Sequence, residues 1–309
     1  AGEGLGHALR SRVVIEQLRK KNKIKIVSSG KGYTYLKRFF DVEEIDYYKI
    51  VYFRNKNSIL LTLLNNIIRF PIIIVKSLKI LRIIRDFRPN IIITDFEPMV
   101  SYFGFFKGIP IISLDNQHVL TKGNHKNIPQ GYYFDALITN CAIRSLIIKS
   151  DKRFINSFFD CELKDKDSVF IKPLLREGIV KAKTSNKDHI LVYQTSKSNK
   201  KLIEVLQKIN RKFIVYGFDG GKKIGSISFK SISEKEFLKD LISCSAVITN
   251  GGSTLISEAL FLKKPILSIP IKKQFEQIIN AIYLKKLGYG MFVEDANKEL
   301  IEKFIKSLP

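Results

Sequence analysis

The chain has 309 residues, a length that suits two domains of about 150 residues each. Its hydrophobic content of 45% is ample for globular packing, and its formal net charge of +24 predicts attraction to polyanions or anionic membranes. The three cysteines have no metal or disulfide spacing, which indicates a reducing compartment, and no uninterrupted apolar run reaches the length of about 18 residues that a transmembrane helix needs.

The amino-terminal segment is typical of a turn that opens a helix. Gly4-Leu5-Gly6-His7 precedes a helical pattern that ends near Lys20, as in the first turn of a nucleotide-binding fold, and we expect the strand before it to be missing. The full dinucleotide signature is absent, so a nicotinamide site is not expected. His7 lies at the tip of the turn, where its imidazole either takes a proton at neutral pH or merely faces solvent.

Residues 49–88 combine nine Lys or Arg with a single acid and long runs of Ile and Leu. Residues 58–87 have helical length, and a bend or break is expected at Pro71. A basic, apolar helix can lie on an anionic bilayer; the alternative is a core helix whose polar face is basic. Nucleic acid is not an expected partner, because the sequence has no helix-turn-helix, zinc spacing or aromatic stacking platform.

Two buried-type strands in this half end in polar residues. Ile91 to Asp95 ends in an acid, which is either a functional carboxylate or a helix cap. Residues 109–114 lead into Asp115-Asn116-Gln117-His118. Polar residues just past the carboxyl end of a strand line the ligand cleft of an open α/β sheet, so Asn116, Gln117 and His118 are candidate site residues.

The polar, turn-rich stretch 181–188 predicts a domain boundary, which gives domains 1–180 and 181–309. Residues 190–193 then restart a parallel sheet. In the turn that follows, Thr195 and Ser196 either contact a diphosphate or act as ordinary helix caps. Strand and helix alternate throughout, which predicts an α/β fold with two parallel sheets.

The stretch from Val247 to Glu258 reads Val-Ile-Thr-Asn-Gly-Gly-Ser-Thr-Leu-Ile-Ser-Glu. A β-branched strand, a Gly-Gly turn and a helix start follow one another, and glycines let a ligand approach the backbone closely. Free N–H groups and the positive end of the helix favour a phosphate there, while Glu258 can accept hydrogen bonds from a ribose diol. We therefore expect a nucleotide diphosphate to bind at Asn250, Gly251, Gly252, Ser253, Thr254 and Glu258.

The continuation carries a resemblance. After Glu258 come Pro265, a short strand and the pair Glu276-Gln277, and this order and spacing resemble the donor-binding half of GT-B glycosyltransferases. The likeness is to the lipid-intermediate N-acetylglucosaminyltransferases of peptidoglycan synthesis and to UDP-glycosyltransferases. The order of elements also looks like the teichoic-acid-related glycosyltransferases of archaea and bacteria. Asn250 departs from the family pattern, which often has a cation or an imidazole there, so a neutral amide or only the backbone would face the phosphate.

The resemblance implies two Rossmann-like domains that face a central cleft, and it implies roles for particular residues. His7 would be the general base on an acceptor hydroxyl and Asp95 its partner, with His118 as an alternative base or an acceptor ligand. Gly6, Asn116 and Gln117 would lie on the acceptor side, while Glu276 and Gln277 would read the hexose. No metal or other cofactor is expected, since Asp165-Lys166-Asp167 reads as a solvated loop.

Together these expectations predict that the protein is an inverting glycosyltransferase, which moves a hexose from a UDP-sugar or similar donor to a hydroxyl acceptor. A lipid-linked or cell-envelope glycan acceptor is expected, with the enzyme in the cytoplasm on the inner face of the membrane through residues 49–88. Two alternatives remain open: a UDP-sugar 2-epimerase, and a non-catalytic module that binds a membrane or a polyanion on the same scaffold.

Overall fold

The structure is a computed structural model, and it describes residues 5–46, 52–53, 56–57, 59–126, 128–147, 149–195 and 199–308. Ser196, a predicted donor contact, lies outside these described residues. In chain order the described strands are β1 (Ile26–Ser28), β2 (Val42–Glu44), β3 (Tyr52–Phe53), β4 (Lys56–Asn57), β5 (Ile92–Thr94), β6 (Ile111–Asp115), β7 (Lys152–Asn156), β8 (Ser168–Ile171), β9 (Ile190–Tyr193), β10 (Phe213–Tyr216), β11 (Lys223–Ile224), β12 (Ile227–Lys230), β13 (Ala246–Thr249), β14 (Ile266–Ser268) and β15 (Met291–Phe292).

Helices alternate with these strands along most of the chain. In chain order the described helices are α1 (Leu5–Leu18), α2 (Gly30–Leu36), α3 (Ile59–Phe87), α4 (Pro98–Phe106), α5 (His118–Lys122), α6 (Tyr133–Leu146), α7 (Glu177–Val180), α8 (Lys200–Gln207), α9 (Glu234–Ser243), α10 (Ser253–Phe261), α11 (Phe275–Lys286) and α12 (Lys298–Lys306), with a short 3-10 helix at Gln130–Tyr132.

The chain divides into two compact units. The N-terminal unit comprises residues 1–51 and 58–174, and the C-terminal unit comprises residues 52–57 and 175–309. The boundary predicted from composition, between residues 180 and 181, lies slightly further along the chain and stays a prediction. The division by contacts assigns the short helix α7 to the C-terminal unit.

The N-terminal unit is built on a four-stranded sheet in the order β5-β6-β7-β8, in which every neighbouring pair is parallel. A separate parallel pair joins β1 to β2. Because β5 and β6 are parallel, their carboxyl ends lie at the same edge of the sheet, and this edge carries Asp95 and Asp115. An apolar cluster in this unit contains Ile45, Ile80, Ile84, Ile92 and Ile111.

The C-terminal unit is built on a seven-stranded sheet in the order β11-β12-β10-β9-β13-β14-β15. All neighbouring pairs are parallel except β11 with β12, which are antiparallel. Every residue of β13 is buried, as expected for a central strand covered on both faces. β9 and β13 are in register at Tyr193 and Thr249, so the turns after them emerge side by side. Parallel sheets in both units confirm the predicted α/β class.

The long helix α3 runs without interruption through Pro71. The expectation of a break at this proline is therefore wrong, whereas the alternative of a bend stays a prediction. A proline in a helix interior removes only one backbone hydrogen bond and adds a clash with the preceding turn, and a helix of this length can absorb that cost. None of the helices in the described ranges is long and apolar enough to cross a membrane.

Candidate functional site

His7 lies near the amino end of α1, and its ring contacts Asp95, the first residue after β5. The ring Nδ1 is 2.7 Å from the Asp95 Oδ1. The structure therefore brings together the histidine and the acid that the sequence nominates as a base and its partner. A ring that donates its Nδ1–H to a carboxylate keeps Nε2 as the basic nitrogen, which is the arrangement a general base requires.

Arg10 is a third member of this cluster, and sequence reasoning missed it. Its Nε donates to Asp95 Oδ2 over 2.8 Å and its Nη2 to Asp95 Oδ1 over 2.6 Å, so the carboxylate is held in a bidentate pair. Ser11 Oγ adds a bond of 3.2 Å to the same carboxylate. Arg10 Nη2 is also 2.7 Å from His7 Nδ1. Because the guanidinium is only a donor, Nδ1 cannot bond to both groups, and the carboxylate is the partner that fixes the useful tautomer.

The Asp95 carboxyl is held in its ionised form. Burial alone would raise its pKa, but the positive charges of Arg10 and His7 and their hydrogen bonds outweigh burial and hold the pKa well below its usual range. The Asp95 side chain is only 10% exposed, and that of Arg10 only 2%. An anion fixed in this way orients the imidazole and stabilises the imidazolium that forms when His7 takes a proton.

Gln117 is the predicted acceptor-side residue that reaches this cluster. Its Nε2 is 3.4 Å from His7 Nε2, and the residue is 8% exposed. Gly6 immediately precedes His7 in the first turn of α1. Gln117 therefore lies beside the basic nitrogen. The acceptor-side role of Gly6 and Gln117 stays a prediction.

His118 belongs to a second pair rather than to the first. Its Nδ1 is 2.7 Å from Asp115 Oδ2, and Asp115 Oδ1 also accepts from the His118 backbone N–H over 2.9 Å. Ser113 Oγ donates to the same carboxylate over 2.5 Å. Burial opposes ionisation of Asp115, but the charge and hydrogen bonds of His118 lower the pKa of that carboxyl. The His118 side chain is 6% exposed and that of His7 is 16% exposed, so His7 is the better placed base.

Asn116 is completely buried, and its side chain makes a hydrogen bond between neighbouring strand ends. The Nδ2 group donates to the Asn156 carbonyl over 3.0 Å and links the ends of β6 and β7. A contact between this side chain and an acceptor would require the strand ends to move.

In the C-terminal unit, the Asn250 side chain ties two strand ends together. Its Oδ1 accepts from the Thr195 backbone N–H over 2.7 Å and from Thr195 Oγ1 over 3.0 Å, while its Nδ2 donates to Gln194 Oε1 over 2.8 Å. Asn250 is 1% exposed. The amide therefore does not face a phosphate in this structure, and both Thr195 donors point to Asn250. Of the two possibilities raised by the sequence, the backbone is the one left for a phosphate.

The two glycines after Asn250 differ in whether the backbone conformation and the packing require glycine. Gly251 has φ +94°, and a Cβ on it would lie 2.8 Å from the Gln277 carbonyl oxygen, so a side chain there is strained. Gly252 precedes α10 with an ordinary φ of −66°, and a Cβ on it would meet nothing within 4 Å. Packing of the described residues therefore does not require glycine at 252, whereas close approach of a ligand would.

The amino end of α10 is the candidate phosphate site. Among the described residues, no side chain caps this helix end. Ser253 and Thr254 supply the first turn, where backbone N–H groups and the helix dipole favour an anion. The first residue of the pair is buried and the second half-buried. The predicted donor residues 250–254 therefore form one turn at the end of β13.

Glu258 does not present an open carboxylate. It is 2% exposed, and its two oxygens accept from Arg176 Nε and Nη2, each over 2.7 Å. Arg176 Nη1 is also 3.4 Å from Glu234 Oε1. A buried arginine therefore donates to both carboxylate oxygens in this structure. A bond from a ribose would have to use their remaining lone pairs or displace the guanidinium. The ribose role of Glu258 stays a prediction.

Helix α11 packs against the glycine turn and stabilises it through a buried hydrogen bond. Asn280 Nδ2 donates to the Gly251 carbonyl over 2.9 Å, and Asn280 is completely buried. Gln277 is also buried, and its Oε1 accepts from the Ile271 backbone N–H over 2.9 Å. Glu276 is half-buried at the start of the helix. Of the two predicted hexose contacts, Glu276 is therefore the more accessible, and contact with sugar stays a prediction for both.

Comparison with known proteins decides the family. The sequence profile of glycosyl transferase family 1 matches residues 1–309. The chain belongs to this family. The resemblance read from residues 250–277 is thereby confirmed at the level of the family.

Curated relatives of this family member match over part of their length. A UDP-N-acetylglucosamine–N-acetylmuramyl-(pentapeptide) pyrophosphoryl-undecaprenol N-acetylglucosamine transferase of Bacillus cereus is 29% identical over an alignment of 151 residues that covers 41% of this chain and 43% of that protein. The transferase of the same name in Lachnospira eligens is 38% identical over an alignment of 90 residues that covers 27% of this chain and 25% of that protein. The chain thus spans less than half the length of these relatives in each match.

Solved structures of glycosyltransferases share the fold of this family member over almost its whole length. The calicheamicin glycosyltransferase CalG4 superposes with a TM-score of 0.64 at 13% identity, covering 99% of this chain and 87% of that one. MurG of Acinetobacter baumannii gives a TM-score of 0.59 at 13% identity, covering 99% and 88%. The predicted fold, two Rossmann-like domains of the GT-B type, is therefore confirmed.

Proposed function

We propose that this family 1 glycosyltransferase moves a hexose from a UDP-sugar to a hydroxyl of a lipid-linked or cell-envelope glycan, with inversion at the anomeric carbon. The observation that carries the proposal is the contact of His7 with an ionised Asp95, which supplies a base for the acceptor hydroxyl. The names of the curated relatives, all lipid-intermediate N-acetylglucosaminyltransferases in the matches given above, support this donor and acceptor class.

In the proposed mechanism the Asp95 carboxylate holds the Nδ1–H of His7, and Nε2 takes the proton from the acceptor hydroxyl. The oxygen attacks the anomeric carbon from the face opposite the diphosphate, which inverts the configuration. The departing diphosphate carries negative charge, which the N–H groups at the start of α10 stabilise. These residues supply a base and an anion site without a metal ion, and metal independence is part of the proposal.

The proposed location is the cytoplasmic face of the membrane, and the exposed side of α3 supports it. Leu64, Ile68 and Val75 are exposed on this helix at 49%, 76% and 67%. They follow the helical repeat and form one apolar stripe, while Ile80 and Ile84 on the other side are buried in the core. The sequence alternatives were a membrane helix and a core helix with a basic outer face. The helix has a core side, and its outer side is apolar rather than only basic, which favours contact with a bilayer.

The experiment that tests the proposed reaction uses the full chain and a panel of UDP-sugars, first by thermal shift and then by turnover on a lipid-linked acceptor. Donor binding and transfer with inverted product stereochemistry, read by NMR, are expected. His7→Ala should lower kcat by roughly 10²- to 10⁴-fold and leave the donor Kd nearly unchanged, because the base acts only on the acceptor. Equal loss of donor affinity would contradict that role.

Incubation with the donor alone separates the rival reading. A 2-epimerase needs no acceptor and would isomerise the UDP-sugar, whereas the proposed transferase leaves it intact apart from slow hydrolysis. Isomerised sugar nucleotide would therefore replace the transferase proposal with the epimerase. If no nucleotide diphosphate stabilises the protein, a non-catalytic module is the better reading.

A further inference from the structure

A pocket in the N-terminal unit has the composition of an anion site. It has a volume of about 360 Å³ and lies between α5, the end of α6 and the start of β7. Its lining comprises His118, Thr121, Lys122, Ile143, Arg144, Ile147, Lys149, Ser150 and Arg153. Four cationic residues belong to this lining, namely Lys122, Arg144, Lys149 and Arg153, and no acid does.

The positive charge in this pocket is only partly neutralised. Asp165, which is outside the lining, pairs with Lys122 over 2.8 Å and with Arg153 over 3.5 Å. Burial alone would raise the pKa of Asp165, but the bonds and charges of these partners lower the pKa to about 2. A carboxylate beside the pocket is thus held strongly in its anionic form. Arg144 and Lys149 are exposed, and no acid of the described residues pairs with either of them.

Ser150 belongs to the lining of the pocket, and its hydroxyl is an unused hydrogen-bond donor. Ser150 is 3% exposed, and its Oγ has no hydrogen-bond partner among the described residues. A buried hydroxyl without a partner is costly, because it has lost water and gained nothing in exchange. An anion in the pocket would accept from this hydroxyl while its charge meets Lys122, Arg144, Lys149 and Arg153.

We propose that this pocket binds a phosphate or diphosphate group. Arginine forks and lysine ammonium groups together match the several oxygens and the double charge of a phosphate better than they match a single carboxylate. The volume accommodates a diphosphate, and the half-buried Lys122 and Arg153 shield the ion from salt more than exposed cations would. The pocket belongs to the N-terminal unit and the glycine turn to the C-terminal unit, and the inference does not rest on the proposed function.

Calorimetric titration of the full chain with inorganic pyrophosphate tests the proposal. The titration is run with UDP present at saturation, so that any diphosphate site at α10 is already filled. The double variant Arg144→Gln/Lys149→Gln should weaken pyrophosphate binding by about tenfold or more. The matched control is Lys21→Gln/Lys23→Gln, which removes the same charge from exposed positions of the same unit and should bind as the original protein does.

Ser150→Ala separates binding from folding. If the hydroxyl serves a phosphate, this variant weakens pyrophosphate binding while its melting temperature stays the same or rises, since no bond within the described protein is lost. A purely structural serine would lower the melting temperature instead. The proposal is overturned if pyrophosphate does not bind the original protein, if acetate at equal ionic strength binds as well, or if the double variant and its lysine control bind alike.

A vesicle arm identifies the source of the phosphate. Binding to vesicles of phosphatidylcholine and phosphatidylglycerol is measured with and without pyrophosphate. Competition that disappears in Arg144→Gln/Lys149→Gln indicates a lipid headgroup, and vesicle binding that ignores pyrophosphate indicates a soluble or substrate-borne phosphate. Loss of glycosyl transfer alone would not affect either result, so failure of this inference and failure of the proposed function remain distinguishable.

Discussion

At the scale of single residues, the pairing of Asp95 with Arg10 and His7 makes the unfolding free energy depend on pH. Asp95→Asn leaves Arg10 buried without its anion, which should cost about 3–5 kcal/mol of unfolding free energy at neutral pH. The pKa of Asp95 is depressed in the folded protein, so the stability it contributes is present above its unfolded pKa of about 4 and is lost as pH falls toward the folded pKa. The difference between the original protein and the variant should therefore be smaller in strong acid than it is above about pH 5.

Urea unfolding across this pH range measures the difference. Asp86→Asn is the matched control, because Asp86 is exposed and paired only at the surface with Arg85. It should change stability by less than about 1 kcal/mol. A pH-independent cost for Asp95→Asn down to the acid limit would mean that its charge is not what holds Arg10 and His7.

The pair of Arg176 with Glu258 calls for a different test, because both side chains are buried. Removing either partner alone, in Arg176→Met or Glu258→Leu, leaves an uncompensated charge and should cost about 3–5 kcal/mol of unfolding free energy. The double variant should be more stable than either single one. Donor affinity is then measured on the double variant, where folding is least disturbed: a large loss supports the ribose role of Glu258, and an unchanged affinity makes the pair a structural tie.

At the scale of elements, the turn between β13 and α10 predicts opposite outcomes at adjacent glycines. Gly251→Ala should lower the unfolding free energy by about 1–3 kcal/mol, because it forces a side chain into positive φ against the Gln277 carbonyl. Gly252→Ala should leave stability within about 0.5 kcal/mol, since its Cβ meets open space. The same methyl would nevertheless obstruct a diphosphate at the helix end. Unchanged UDP affinity in Gly252→Ala, measured calorimetrically, would contradict the proposed phosphate position.

Helix α3 offers a test of the membrane proposal that leaves the core intact. Ile68→Ser/Val75→Ser removes two exposed apolar side chains and should weaken binding to anionic vesicles by about tenfold, as less apolar surface enters the bilayer boundary. Ile224→Ser/Ile232→Ser is the control pair, exposed at 43% and 52% in the C-terminal unit. Vesicle co-sedimentation should separate the two variants; equal binding would remove α3 from the contact.

At the scale of the whole molecule, the sequence predicted what local pattern determines and missed what long-range packing determines. Strand alternation and the Gly-Gly turn are local signals, so the α/β class and the family were within reach. Arg10 and Asp95 are 85 positions apart, and Arg176 and Glu258 are 82 apart. No spacing rule pairs residues at such distances. The same limit applies to Asn250, whose type suggested a ligand contact but whose neighbour across the sheet, Thr195, uses its oxygen.

Because the chain divides into two compact units, a bound nucleotide should slow hydrogen exchange mainly in the unit that binds it. If UDP binds at the start of α10, hydrogen exchange should slow in peptides from residues 246–261, because the ligand binds only the folded turn and adds about 2.7 kcal/mol at a hundredfold excess over Kd. Helix α1 and strand β5, which position His7 and Asp95, should exchange at their original rates with UDP alone. Pyrophosphate added after UDP should instead slow exchange around residues 143–153. Protection by UDP confined to that basic pocket, with none at residues 246–261, would show that the glycine turn is not the donor site.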